Sequence, residues 1–353
     1  MRILGVETSC DETAAAIVED GHHLMSNEVA SSMALHAQYG GIVPEIAARS
    51  HIEVIIPVIE QSLSVANTDW DDLDAIAVTY GAGLGGSLLI GVLTARTLAI
   101  THNKPLYAIN HVEGHVYANF LTTTSLSGYN LPHKQPDFPM LALIVSGGHS
   151  QLVLFRNHFD YALLGQTHDD ALGEAFDKVA KIIGLPYPGG PNIGIKALEG
   201  DPFAYQLPKA KLAAKYDFSF SGLKTAVLRL AQSQIGEGFT FPSKDLPQRL
   251  SEAQKANIAA SFQRIAMETV VDKTLQAFHE FEPRSVVIAG GVAASQELRK
   301  QLAARLPIPI AYTDPKLCTD NGAMIATLGC FSARFNRPKA DPYTLEIQPN
   351  LSM

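Results

Sequence analysis

The chain carries one plan twice, and that repetition limits its fold more than any other feature. Residues 2–6 (R-I-L-G-V) are apolar, run into the polar turn Ser9-Cys10-Asp11-Glu12-Thr13, and return as the apolar stretch 14–18 (A-A-A-I-V). Far downstream, residues 140–145 (M-L-A-L-I-V) lead into Ser146-Gly147-Gly148-His149-Ser150 and return as residues 151–155 (Q-L-V-L-F). Short apolar runs bounded by polar turns read as buried strands. Two such hairpins imply an internal duplication, each half opening with a hairpin whose turn faces a shared cleft. The turns differ in chemistry. Gly147 and Gly148 let backbone amides approach a phosphate, whereas Asp11 and Glu12 supply acids.

A length of 353 residues exceeds what one core usually holds, so two domains are expected. Residues 122–135, rich in Thr, Ser, Asn, Pro and Gly, divide the chain into halves 1–130 and 131–353, with the last helix packing back on the first half. With 46% hydrophobic and 18% charged residues, the chain is globular and not disordered. A net charge of −8 argues against holding nucleic acid by bulk electrostatics and leaves room only for a local basic patch. Cys10, Cys318 and Cys330 are scattered, which suits free thiols in a reducing compartment. Neither a cleaved leader nor a membrane-length apolar run is evident, so a soluble cytoplasmic protein without membrane contact is expected.

Several stretches carry polar chemistry. In Asn110-His111-Val112-Glu113-Gly114-His115 the two histidines are i and i+4 and share a face if the run is helical. Such a pair offers two nitrogens to one metal ion and needs a third protein ligand from elsewhere. Spacing alone also fits two ordinary histidines at a helix start. Glu113 stands third after His111, not in the H-E-x-x-H position of a metallopeptidase base. His36, Glu45, Arg49 and His51 gather around a loop and helix start, where capping and surface solvation explain much and a direct catalytic role is the alternative. Gly81-Ala82-Gly83-Leu84-Gly85-Gly86-Ser87, between a strand and a helix, is neither a P-loop nor a dinucleotide fingerprint and reads as tight packing. Asp177 precedes the rigid Pro186–Pro191 loop and could receive ribose hydroxyls or pair with Lys181. Lys209, Lys211, Lys215 and Lys224 interleave with Tyr205, Tyr216, Phe218 and Phe220, the best stretch here for an RNA footprint, with a solvated loop as the competing account. Gly290-Gly291 after an apolar strand could carry a base or ribose. Asp320 stands at a helix start, where an N-cap is its simplest role.

Taken together, these stretches resemble the tRNA threonylcarbamoyladenosine synthases, the bacterial TsaD or Gcp proteins, over essentially the whole chain. The resemblance rests on H-A-Q-Y-G-G-I-V-P-E-I-A-A-R-S-H at 36–51, the His111/His115 run, I-V-S-G-G-H at 144–149, residues 175–178 and 187–191, F-S-F-S-G-L-K at 218–224, residues 290–294, and C-T-D-N-G-A-M-I-A at 318–326. It implies the duplicated α/β fold of actin, sugar kinases and heat-shock-chaperone ATPases, two domains with a cleft between the halves. It implies one divalent metal, Fe2+ first and Zn2+ as the alternative, on His111, His115 and Asp320. The adenylate pocket is implied at Ile144, Val145, Ser146, Gly147, Gly148, Asp177, Gly190 and Ser295. At the last position the family usually has Asn, and Ala82 stands where it usually has Pro. The implied activity is transfer of threonylcarbamoyl from its adenylate to the exocyclic amine of adenosine 37 in tRNAs reading ANN codons, releasing AMP. Asp11 and Glu12 are then the groups to orient or deprotonate the amine, and TsaB and TsaE the implied partners. An ATPase or kinase of the same fold, a metallopeptidase and a non-catalytic scaffold are the competing classes.

Overall fold

The structure is a computed structural model describing all residues, Met1–Met353. The chain forms two compact units, Met1–Pro136 with Ala311–Met353, and Asp137–Ile310. The second unit is thus shorter than the 131–353 half expected, because residues 311–353 rejoin the first.

The first unit opens with antiparallel strands β1 (Arg2–Glu7), β2 (Glu12–Glu19) and β3 (His23–Ser31). After them come α1 (Met33–Ala37), α2 (Pro44–Val65), β4 (Ala75–Gly81), α3 (Gly85–Thr101), β5 (Leu106–Asn110), α4 (His111–Tyr117) and the short β6 (Thr123–Thr124). The sheet order is β5-β4-β1-β2-β3-β6, with β4 parallel to β1 and to β5. Ile3, Leu4, Val6, Ala15, Ala16, Ile17 and Val18 are all fully buried, so both faces of the central strands are covered. That is why these strands read as unbroken apolar runs instead of alternating ones. Leu4, Val6 and Ile17 share a core with Ile55 and Ile59 of α2 and Val92 and Ala95 of α3.

The second unit repeats the arrangement with β7 (Met140–Val145), β8 (Ser150–Asn157) and β9 (Asp160–Gln166). Helices α5 (Leu172–Ile183), α6 (Gly189–Ala197), α7 (Ser221–Gln234), α8 (Leu246–Arg249) and α9 (Glu252–Phe281) lead to β10 (Ser285–Ala289) and α10 (Gln296–Arg305). Its sheet runs β10-β7-β8-β9, with β7 antiparallel to β8 and parallel to β10. β10-β7-β8-β9 therefore matches β4-β1-β2-β3 pairing for pairing, and the duplication inferred from two hairpins is one of topology. This is a duplicated α/β plan. The long α9 starts where Ser251 suggests: Ser251 accepts from Gln254 N, and Gln254 Oε1 accepts from Ser251 N at 2.9 Å.

The chain then returns to the first unit and ends its helical part in α11 (Gly322–Arg334), every residue of which from Gly322 to Ser332 is buried. α11 lies against β1 and β2 on the face opposite α2 and α3. The approach is close because both sides lack side chains: a Cβ on Gly5 would sit 2.3 Å from Gly322 O and 2.4 Å from Ala326 N. No helix is long and apolar enough to cross a membrane.

Candidate functional site

Helix α4 begins directly off β5 because Asn110 caps it, its Oδ1 accepting from Val112 N at 2.8 Å and Glu113 N at 3.3 Å. His111 is the first helical residue, His115 lies one turn on, and the two rings are 4.7 Å apart. Asp320 arrives from the other end of the chain, just ahead of α11. It does not cap that helix. Asn321 does, accepting from Met324 N at 3.0 Å, and this corrects the simplest reading of Asp320. The Asp320 Oδ1 atom instead lies 3.2 Å from His115 Nε2 and 3.6 Å from His111 Nε2. One ligand atom from each of the three residues falls within a 4.8 Å span.

Two observations make this cluster fit a cation. Both nitrogens of His115 are buried without a hydrogen-bond partner, so the 3.2 Å approach of Asp320 is a close pairing that lacks hydrogen-bond direction. A bare imidazole nitrogen facing a carboxylate oxygen is what a shared metal would satisfy. The second is the field. Burial acts to lower the His111 pKa, yet Asp320 and Glu7 together push it up to about 9, so the site draws positive charge. For Glu7, fully buried, burial opposes ionisation, but His111 and hydrogen bonds hold its carboxyl below the usual range. Glu7 Oε2 sits 3.2 Å from His111 Nδ1 and also accepts from Thr79 Oγ1, while Oε1 accepts from Ser9 N at 2.5 Å.

The Ser9–Thr13 turn is held rigidly. Leu84 N donates to Ser9 O, Ser87 Oγ and His51 Nε2 approach Cys10 O, and Ser32 donates to Asp11 O from both its amide and its hydroxyl. His51 also bonds Thr13 Oγ1 at 2.7 Å, and His36 Nδ1 accepts from Val43 N. Both histidines are fully buried. They are lashings of the loop. Glu12 is pushed up to about 10, first by burial, then by Asp320 and Asp11, with which it shares a hydrogen bond. Burial, followed by the same acids, also pushes the Cys10 thiol up, so it is no thiolate nucleophile.

The remaining expected residues lie in the second unit. Ile144 and Val145 end β7, and the following turn closes through Ser146 N to His149 O at 2.8 Å and His149 N to Ser146 Oγ at 3.1 Å. Gly147 and Gly148 are exposed, with open space where a side chain would project. Gly290 (φ +87°) packs onto this turn: a Cβ there would lie 2.5 Å from Val145 O, so only glycine fits. Ser295 follows the 3-10 turn Gly291–Ala294, which packs on β7 and α5, and it caps α10 by accepting from Leu298 N. Asp177 on α5 accepts from Gly189 N at 2.6 Å, beside Gly190 in the first turn of α6. The structure thus gathers two sets, the acid turn with His111, His115 and Asp320 in the first unit, and the Ser146 turn, Asp177, Gly190 and Ser295 in the second.

The lysine-rich stretch is corrected. Lys209 pairs with Glu268 and Asp272, Lys215 with Glu280, and Lys224 with Asp170. With Tyr216, Phe218 and Phe220 buried, three of the four lysines are neutralised and three of the four rings are withdrawn, leaving Lys211 exposed and Tyr205 half-buried.

Residues 23–327 match the family model described as TsaD, tRNA N6-adenosine threonylcarbamoyltransferase. A curated relative of that name from Thermomicrobium roseum is 49% identical over 342 residues, 95% of this chain and 92% of its own. The chain belongs to the tRNA N6-adenosine threonylcarbamoyltransferase family. A second such transferase, from Dehalococcoides mccartyi, is 45% identical over 100% of this chain and 99% of its own. Among solved structures, component A of (R)-2-hydroxyglutaryl-CoA dehydratase from Acidaminococcus fermentans aligns over 94% of this chain and 98% of its own at 13% identity, with a TM-score of 0.48.

Sequence reasoning passed over Glu7 and Ser9, which meet His111 Nδ1, and Thr79, which donates to Glu7. A signal existed: a carboxylate closing the apolar strand R-I-L-G-V is buried with it, and a buried carboxylate needs donors.

Proposed function

We propose that this chain transfers the threonylcarbamoyl group from threonylcarbamoyl-adenylate to the N6 amine of adenosine 37 in tRNAs reading ANN codons, releasing AMP. Family membership supports the reaction, and the convergence of His111, His115 and Asp320 within 4.8 Å is the observation that carries the site. These three residues would hold a divalent cation, iron first and zinc as the alternative. When bound, it supplies Lewis-acid stabilisation of charge developing on the carbamoyl group.

The chain's own residues do the rest. Asp11 and Glu12 share a hydrogen bond. Glu12, with Asp11, orients the incoming amine, and the pair takes up the proton the amine loses. The open amides of Gly147 and Gly148 hold the adenylate phosphate that leaves with AMP, as their lack of side-chain neighbours supports. Asp177 and Gly190 receive the ribose. Ser295 contributes one hydroxyl, already engaged as a helix cap, where an Asn would offer a paired donor and acceptor. Glu113 does not act as a peptidase base: it is buried, with Arg337 and Tyr80 in its field and one oxygen without a partner.

Ile52 and Ile56 on α2, and Leu89 and Leu93 on the neighbouring α3, are exposed apolar side chains at i, i+4 spacing. They supply a face for the paralogous TsaB subunit, with TsaE as the further partner, in the cytoplasm where tRNA is found. The test is transfer from synthetic threonylcarbamoyl-adenylate to tRNA by wild type and by Asp320→Ala, with metal content measured in parallel. Loss of both in the variant supports the reading, and full transfer by a metal-free Asp320→Ala chain refutes it.

A further inference from the structure

We infer that Glu7 is a positioning residue for the cation site, fixing His111 in the tautomer that carries its hydrogen on Nδ1 so that Nε2 turns its lone pair towards Asp320. The inference rests on the metal reading above.

A carboxylate oxygen only accepts hydrogen bonds. Each oxygen of Glu7 already meets a donor, Ser9 N on Oε1 at 2.5 Å and Thr79 Oγ1 on Oε2. His111 Nδ1, 3.2 Å from Oε2, must then be a donor too. In the other tautomer a bare nitrogen would face a carboxylate oxygen inside the protein, two acceptors with nothing between them. Ser9 Oγ, 3.0 Å from the same Nδ1, could serve either tautomer, so the choice falls to Glu7. Its placement suits the task. It ends β1, a central strand paired with β2 and β4, and Thr79 comes from the adjacent β4, so the hydrogen-bonding frame is built on sheet and not on loop.

The two histidines are thereby unlike. Nδ1 of His111 is engaged by Glu7 and Ser9, whereas neither nitrogen of His115 has a hydrogen-bond partner. Outer partners of this kind orient a ligating imidazole and raise its basicity, and their loss typically lowers metal affinity by roughly 10–100-fold.

Glu7→Gln keeps the shape but puts an amide NH2 where an acceptor oxygen stood, opposing one of the three donors. The probe is Co2+, titrated into the full chain and read by its visible absorption under chelator competition, with thermal melts in EDTA to check the fold. The expected result is Co2+ binding weakened roughly 10–100-fold in Glu7→Gln, with a single cooperative melt in EDTA showing that the variant still folds. A second arm needs no variant: long-range 1H–15N spectra of the Zn2+-loaded wild-type chain should show His111 protonated at Nδ1 and bound through Nε2. Wild-type affinity and spectrum in Glu7→Gln, or a His111 bound through Nδ1, overturns the inference while leaving the metal reading intact. Failure of the wild-type chain to bind either ion overturns both.

Discussion

Replacing Gly5 with alanine should damage the fold and the cation site together. The added methyl would stand 2.3 Å from Gly322 O, 2.4 Å from Ala326 N and 2.9 Å from Ala326 Cα. All three are backbone atoms of one helix, so no rotamer change relieves the overlap, and α11 must lift from the sheet by about 1 Å to restore van der Waals contact. Overpacking of this kind costs about 1–3 kcal/mol, and a rigid neighbour places Gly5→Ala at the upper end. For a unit of this size, about 3 kcal/mol lowers Tm by roughly 6–12 °C. Asp320 sits two residues before α11 begins and is 3.2 Å from His115 Nε2, so the same displacement opens the ligand triangle. Differential scanning calorimetry in EDTA reads the first effect and Co2+ titration the second. A Gly5→Ala chain that melts with wild type and binds Co2+ equally well refutes the claim that α11 is fixed by this contact.

Other outcomes follow from the same geometry. Glu12 has a folded pKa near 10 and an unfolded value in the ordinary carboxylate range, so its neutral form favours the folded state; that contribution is full at low pH and is lost as pH rises towards 10. Glu12→Gln, neutral throughout, should therefore gain thermal stability over wild type in EDTA as pH is raised from 5 to 9, and a pH-independent difference in melting temperature contradicts the assignment. Arg96 donates to the carbonyls of Pro342, Tyr343 and Leu345, and Arg96→Ala should loosen the C-terminal segment at a loss of about 2–3 kcal/mol, visible as faster proteolysis after residue 340. Leu93→Glu, on the exposed face of α3, should abolish co-elution with a TsaB subunit while leaving the melting temperature within about 2 °C, since surface changes usually stay within about 0.5 kcal/mol.

The parts of the fold set by local pattern were legible in the residues. β1, β2, β7 and β8 announce themselves as unbroken apolar runs because both faces of their sheets are covered, and the Ser251 cap marks α9 because its partner Gln254 lies three residues on. The His111/His115 spacing was visible for the same local reason. What the residues hide is long-range pairing. Lys209 and Lys215 look like a free basic patch until α9 brings Glu268, Asp272 and Glu280 against them. Asp320 looks like a helix cap until Asn321 takes that role. Glu7 gave no sign of its partner because His111 lies 104 residues away, and only the sheet brings them together.

The first unit is sewn from both ends of the polypeptide, with α11 forming one face of a sheet whose strands are translated first. During synthesis that face, with Ile3, Gly5 and Ala16, has no cover until the ribosome has read through Asp137–Ile310 and released the C-terminal helix. The two imidazoles consequently wait for their carboxylate until Asp320 has been made. Any truncation that removes Asp320 together with α11 therefore breaks up the His111, His115 and Asp320 cluster and exposes the strand face in one stroke.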